Sequence, residues 1–260
     1  YPQFATHNAH SIASVLELAP DGADYEFQRL HGMGEGVYRE VLKNPLVTCR
    51  VYAPVGAHRD GHLDGARGRL SHLCGRDPSA LDIAGLSRAT VESVAENTSD
   101  AVVGPLVWGA VGGVPGLLAY RAVNTLDAMV GHRSERHARF GWAAARLDDV
   151  VNLVPARLTA ALAVALAPVV DGRPRAALRV WRRDGRKHPS PNAGPVEAAF
   201  AGALGRTLGG QLCYGTRVED RPLLGDGPAP DVADIARAAR LSAAVSLAAA
   251  GLAVAVRSLH

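Results

Sequence analysis

Residues 101–120, AVVGPLVWGAVGGVPGLLAY, hold twenty positions without a charge. A helix of that length spans ~30 Å, the thickness of a bilayer's hydrocarbon core, at ~1.5 Å per residue. Two pairs of glycines, Gly109 with Gly113 and Gly112 with Gly116, repeat at a spacing of four. That spacing lets a second membrane helix approach closely. Pro105 and Pro115 would break a lone soluble helix but are tolerated inside membrane bundles. The segment reads as a membrane helix; the alternative is a buried soluble helix or a glycine-rich loop.

Two further apolar stretches lie downstream, LTAALAVALAPVV (158–170) and LSAAVSLAAAGLAVAV (241–256). Each is short enough to be either a span or an Ala-rich soluble helix. Basic residues constrain the topology. Arg121, Arg133, Arg136, Arg139 and Arg146 follow the first stretch, and Arg173, Arg175, Arg179, Arg182, Arg183, Arg186 and Lys187 follow the second. Two simple spans would put one basic loop on each side, against the positive-inside tendency. One segment is therefore expected to be re-entrant or interfacial, or not to cross.

Before residue 60 the texture differs. Six of the thirteen aromatic residues lie there, and short β-type runs alternate with helical patterns. QFATHN, YEFQRL and VTCRVYAP read as strands, and HSIASVLELA and GEGVYREVLK as helices. The β-α-β-α-β order predicts a parallel sheet or part of a barrel. The remainder reads as mainly α, a polytopic α-helical membrane protein fragment. Net charge is +3, too small to indicate nucleic acid. Cys49, Cys74 and Cys213 are far apart and odd in number, which fits free thiols better than disulfides or a zinc site. No phosphate-binding glycine loop, H-E-x-x-H or G-x-S-x-G motif is present. With Tyr1 first, the chain looks cut from a longer one.

Four polar clusters flank the apolar stretches. Glu92, Glu96 and Asp100 stand at i, i+4, i+8, on one helical face just before the first. Asn124 and Asp127 come just after it at i, i+3; Asp148, Asp149 and Asn152 precede the second. Arg183, Lys187, His188 and Asn192 share a Pro-rich turn. Stacked carboxylates repel unless a cation sits between them, and such oxygen ligands suit Mg²⁺ bridging to phosphate. Arg, Lys and His in one turn suit phosphate or carboxylate recognition. Taken singly, each cluster reads first as a solvated helix face or a salt bridge to the abundant arginines.

FATHNAH (4–10), YEFQRLHGMGE (25–35) and CRVYAPVG (49–56) resemble the proline dehydrogenase barrel of the bifunctional PutA family. That resemblance implies a (β/α)8 barrel binding FAD, with Thr6, His7 and Asn8 along the flavin, Glu35 near it and Tyr52 lining the proline pocket. Three strands cannot close an eight-stranded barrel, so no proline oxidation is expected from residues 1–60 alone. From GARGRLSHLCGRDPSALD (65–82) onward the four clusters, in order, resemble the CbiB/CobD family of cobalamin biosynthesis. The resemblance covers residues 61–260 and implies a multi-pass protein of the inner membrane, in contact with lipid. Its activity would be adenosylcobinamide-phosphate synthase: amide formation between a carboxyl of adenosylcobyric acid, a corrinoid, and an aminopropanol or its phosphate. ATP and Mg²⁺ are the implied cofactors. Glu92, Glu96 and Asp100 become the metal or nucleotide candidates, and Asn124, Asp127, Asp148 and Asp149 complete a catalytic site. Arg183, Lys187, His188 and Asn192 would contact phosphate or a corrin carboxylate. The join between the two pieces is expected between about Val55 and Leu63, with the second piece lacking its family's leading helices.

Overall fold

The computed structural model describes residues 3–5, 16–17, 26–30, 40–43, 48–52, 82–130, 140–214 and 217–258. The chain divides into two compact units, Tyr1–Leu73 and Cys74–His260.

In the first unit, β1 (Gln3–Ala5), β2 (Glu26–Leu30) and β3 (Thr48–Tyr52) form a parallel sheet in the order β1-β2-β3. The register aligns Phe4 with Phe27 and Phe27 with Cys49. All three expected strands are present at their expected places. Parallel neighbours in sequence order are what β-α-β connections produce. Phe27 is fully buried. Three strands are all the described residues contribute, so the barrel expected from the resemblance is not seen whole.

The second unit is helical. Its elements are α1 (Ile83–Asn97), a π-helical turn (Thr98–Val103), α2 (Gly104–Val130), α3 (Phe140–Val151), α4 (Leu153–Ala165), a 3₁₀ turn (Ala167–Val170), α5 (Pro174–Asp184) and α6 (Ala193–Leu204). An antiparallel hairpin comes next, β4 (Leu208–Tyr214) with β5 (Arg217–Leu224), and then α7 (Val232–Ser258). Asp82 caps α1, its Oδ1 accepting from Gly85 N at 2.8 Å. The core is built around α6, in which every residue from Gly194 to Leu204 is buried. Apart from Glu197 this helix is apolar or small on all sides, so it must be surrounded, and its small residues allow close approach. A Cβ on Gly202 would sit 2.7 Å from Ala177 Cα of α5. Leu241, Val245 and Ala249 of α7 and Val91 and Ala95 of α1 complete this core.

The uncharged stretch does not form one straight helix. At Gly113 the backbone turns to φ 63°, ψ −153°, a region open essentially to glycine alone, and α2 reverses there. In a straight helix residues 104 and 120 would be about 24 Å apart. Instead a Cβ on Gly104 would collide with the Tyr120 ring, and one on Gly116 would lie 2.5 Å from the Trp108 carbonyl oxygen. Residues 104–112 and 114–130 are thus two antiparallel arms. Gly112-Gly113 ends the first and Pro115 starts the second, the usual stop and start residues of helices. The spaced glycines therefore serve contact between two arms of one hairpin rather than contact with a separate membrane helix. Gly116 lies under Trp108 and Gly109 faces Leu117, while Gly112 faces open space.

Two segments, 83–128 and Val232–Ser258, are long and apolar enough to cross a membrane, with mean hydropathy 1.7 and 1.8. Both are mostly unburied within the protein. α4, with 13 residues, is too short to qualify.

Candidate functional site

The base of the α2 hairpin gathers most of the acidic and amide residues singled out above. Glu96 ends α1, Asp100 lies in the π turn, Tyr120, Asn124 and Asp127 lie on the second arm, and Asp148 and Asn152 close α3. The π turn widens the helix by one residue and so re-aims the side chains beyond it. Thr98 fixes the turn, its hydroxyl lying 2.6 Å from both the Val94 carbonyl oxygen and Ser242 Oγ of α7. Tyr120 Oη lies 2.8 Å from both the Asp100 carbonyl oxygen and Asn152 Oδ1, and its single proton serves the two. Asn152 Nδ2 donates to the Asp148 carbonyl oxygen at 3.1 Å, and Asn124 Nδ2 approaches Asp148 Oδ1 at 3.4 Å. Glu96, Asp127 and Asp148 all act electrostatically on Asp100. Burial, with the neighbouring Asp127 charge, raises the Asp148 carboxyl above its ordinary range, while Asn124 and Asn152 oppose the rise. Four carboxyl groups close enough to act on one another make a cluster that favours a cation.

Glu92 does not belong to this group. It is 2% exposed, and its Oε1 accepts from Gly209 N of β4 at 2.8 Å. The expected three-carboxylate face is therefore split: Glu92 ties α1 to the β-hairpin, and Glu96 and Asp100 join the cluster at the hairpin base. Among the described residues no three His, Cys, Asp or Glu side chains converge as a metal-ligand group. That excludes an all-protein cage here, but Mg²⁺ is usually held by one or two carboxylates plus phosphate and water. The pocket at the hairpin base fits that lesser demand. Asp149 stands beside the cluster, its carboxylate 3.6 Å from Arg146 and its carbonyl oxygen accepting from Asn192 Nδ2 at 2.8 Å.

The basic turn is organised separately. Asp184, which sequence reasoning passed over, is buried and pairs with Arg183 at 2.6 Å and Lys187 at 2.7 Å; Gly225 N donates to it at 3.0 Å. The Arg183 guanidinium, Lys187 and the Gly225 amide hold the Asp184 carboxyl far below the usual carboxylate range. Arg183 also meets Asp226 at 2.7 Å. Both cations expected to contact phosphate are thus committed to aspartates. His188 is buried, with Nε2 2.6 Å from Arg221 Nη1 and 3.8 Å from Glu197 Oε1. A guanidinium only donates, so Nε2 accepts from it. Asn192 is buried too, accepting from Arg157 Nη1 at 2.9 Å while it donates to Asp149 O. Asn192 therefore links the turn to the α3–α4 corner that carries Asp149 and Asn152. Arg175, Arg179 and Arg182 are exposed, and with Leu178 and Arg183 they line an open groove of about 570 Å³. Their i, i+4, i+7 spacing on α5 was the available signal.

Thr6, His7, Asn8 and Glu35 lie outside the described residues. Tyr52 ends β3, opposite Leu30 of β2.

The second unit is thus a helical bundle with two segments long and apolar enough to cross a membrane and a carboxyl cluster at the base of its exposed apolar hairpin. Comparison with known proteins is specific. The family model for CobD/Cbib protein matches residues 48–242, and that for proline dehydrogenase matches residues 1–64. The chain belongs to the CobD/Cbib family. It is 60% identical over 192 residues to the Mycobacterium tuberculosis (strain H37Rv) protein named cobalamin biosynthesis protein CobD, covering 74% of this chain and 61% of that one. The Rhodobacter capsulatus protein of the same name is 54% identical over 178 residues, 68% of this chain and 55% of its own length. The Chromobacterium violaceum one is 50% identical over 198 residues, 74% and 62%. The chain thus spans about three fifths of the length of these relatives. No solved structure matches it.

Proposed function

We propose that residues 61–260 carry the polar site of an adenosylcobinamide-phosphate synthase. That site would join the amine of an aminopropanol, or its phosphate, to a side-chain carboxyl of adenosylcobyric acid, in a multi-pass protein of the inner membrane. The observation that carries this reading is the convergence of Glu96, Asp100, Asp127 and Asp148 at the hairpin base, in a chain of this family.

The chemistry comes from what such a pocket attracts. The amine is an ammonium at neutral pH, and Asp127 and Asp148 would draw it in. Asp148, raised by burial, is suited to take its proton and expose the nucleophilic lone pair. A free carboxylate has no good leaving group; ATP with Mg²⁺, when bound, supplies one, so that the oxygen departs with phosphate. Glu96 and Asp100 would hold the metal. Asn124 and Asn152 orient Asp148, and Tyr120 fixes the π turn that presents Asp100. The exposed arginines of α5 fit the carboxylates and phosphates of an anionic corrinoid.

The test is direct: the chain in detergent or lipid receives adenosylcobyric acid, ATP, Mg²⁺ and either amine donor. A corrinoid product heavier by the amine less water is expected, with its loss in Asp148→Asn. No product from either donor overturns the reading.

A second reading concerns the first unit alone. Its parallel β1-β2-β3 order and the match of residues 1–64 support a fragment of a flavin-binding barrel. With three strands described, bound FAD and proline oxidation are not expected; flavin absorbance in the purified chain would overturn that expectation.

A further inference from the structure

We infer that the α2 hairpin is a re-entrant element: it enters the bilayer from one side, reaches about mid-depth among lipid acyl chains, and leaves on the same side. This rests on the membrane reading above and deepens it.

Three observations carry it. The first is length. From the level of Gly104 and Tyr120 to the reversal at Gly113 each arm has seven to nine residues, about 12 Å of helix. That is less than half of a ~30 Å hydrocarbon core and matches a single leaflet. The second is the distribution of charge. Both arms are uncharged above that level, and Val111, Val114 and Leu118 near the tip are 70%, 71% and 60% exposed. Polar groups start at once below it, with Asp100 in the π turn that leads into the first arm and Arg121, Asn124 and Asp127 on the second. Along both arms the uncharged stretch thus gives way to charged and amide residues, as at a membrane boundary. The third is what lies beside the reversal. A broken helix leaves carbonyl groups without intrahelical partners, costly at membrane depth unless protein covers them. α7 runs beside the first arm in the same direction: Ser242 meets Thr98, and fifteen residues further along each chain Arg257 meets Gly113. The Arg257 guanidinium lies 3.7 Å from where a Gly113 Cβ would be, at the carbonyl end of the first arm, where a cation complements the helix dipole. Leu247, Leu252 and Val254 of α7 are exposed alongside and extend the apolar surface.

Lipid is the occupant this geometry fits, because residues on both sides of the reversal, Val111 and Gly112 before it and Val114, Pro115, Leu117 and Leu118 after it, are exposed rather than one face alone. The consequence for the site is positional. The carboxylate pocket sits at the mouth of the hairpin, on the side from which both arms enter.

Single cysteines test this in the full chain, with Cys49, Cys74 and Cys213 replaced by serine, in sealed vesicles of one orientation. Ala101→Cys and Ala122→Cys should react with a membrane-impermeant maleimide from the same side. A spanning helix would separate them by about 31 Å and place them on opposite sides; that outcome overturns the inference while leaving the membrane reading intact. Val114→Cys should stay unreactive from both sides until detergent is added; equal reactivity with Ala101→Cys in sealed vesicles overturns it. A bimane label on Val114→Cys, attached in detergent before reconstitution, should be quenched several-fold by lipids brominated near the acyl-chain ends. Absence of quenching would mean that a second copy or another protein segment covers the tip, and overturns the lipid assignment. Recovery of the unmodified chain entirely outside the membrane fraction would overturn the membrane reading itself.

Discussion

Gly104→Ala separates a packed hairpin from a straight helix by the sign of its effect. Gly104 has helical dihedrals, so alanine would ordinarily stabilise it by about 1 kcal/mol. Here the new methyl would occupy the space of Tyr120 Oη and Cζ. The Tyr120 ring is 2% exposed and backed by protein, so it must leave its place. Its departure removes a hydroxyl shared between the Asp100 carbonyl oxygen and Asn152 Oδ1. One lost hydrogen bond costs roughly 0.5–1.5 kcal/mol, and a buried acceptor left unpaired costs roughly 1–3 kcal/mol. Set against the helix-propensity gain, the net destabilisation is about 1–3 kcal/mol. Equilibrium unfolding in mixed micelles, followed by helical circular dichroism, measures it. Tyr120→Ala supplies the control: in that background the methyl meets no ring, and Gly104→Ala should turn stabilising by about 1 kcal/mol. If Gly104→Ala stabilises both backgrounds equally, the two arms do not pack at this point and the reversal at Gly113 is refuted.

Glu92→Gln should leave the Mg²⁺ concentration needed for cobinamide formation unchanged, because Glu92 is engaged with Gly209 N; Asp100→Asn should raise it at least tenfold. A Mg²⁺ titration of initial rates distinguishes them, and equal shifts would restore Glu92 to the metal set. Asp184 contributes a pH dependence of stability. Its carboxyl titrates far lower folded than unfolded, so its ion pairs stabilise fully above the ordinary unfolded value of about 4. That contribution fades as pH falls toward the depressed folded value, and Asp184→Asn should flatten the acid limb of a stability–pH profile. Because Arg183 and Lys187 are half exposed, the loss should be about 1–2 kcal/mol, not that of a fully buried pair.

Much of this fold was readable from pattern, and the rest failed for identifiable reasons. The three strands of the first unit announce themselves by β-branched and aromatic runs between helical periods. The apolar stretch at 101–120 was legible as membrane-compatible, and the basic loops after the first and second stretches already implied that one segment is re-entrant or interfacial, or does not cross. Which one turns back was written in Gly112-Gly113-Val114-Pro115, a helix stop followed by a helix start. Glycine spacing of four has two readings, contact with another helix or contact within a hairpin, and sequence periodicity treats them alike. The acidic residues were singled out by their spacing, and the structure groups them differently. Helical spacing puts Glu92, Glu96 and Asp100 on one face only if the helix stays regular, and the π turn at Thr98–Val103 breaks that premise. Tyr120 was missed because a tyrosine at the end of an apolar run looks like an interface anchor. Asp184 was missed because a single aspartate among arginines looks like a surface ion pair, whereas it is the buried member around which Arg183 and Lys187 are arranged.

The same irregularity explains why the pocket lies where it does. A regular helix from Ile83 through Gly112 would satisfy its own backbone throughout and offer no reason to stop at Asp100. The π turn leaves the Asp100 carbonyl available to an outside donor, and Tyr120 from the returning arm supplies it. Asn152, from the corner between α3 and α4, takes the other side of that hydroxyl and holds the backbone that carries Asp148. Three chain segments are thus pinned through one phenol oxygen, and each delivers a carboxylate from the residue it pins or from a near neighbour: Asp100, Asp127 and Asp148. Like charges brought together this way repel, so the arrangement persists only because hydrogen-bonded backbone and a packed hairpin oppose the repulsion. A cation bound there would relieve it. Loosening the hairpin, by disturbing Gly104 or Gly113, should therefore disperse the pocket before it unfolds the α6-centred core.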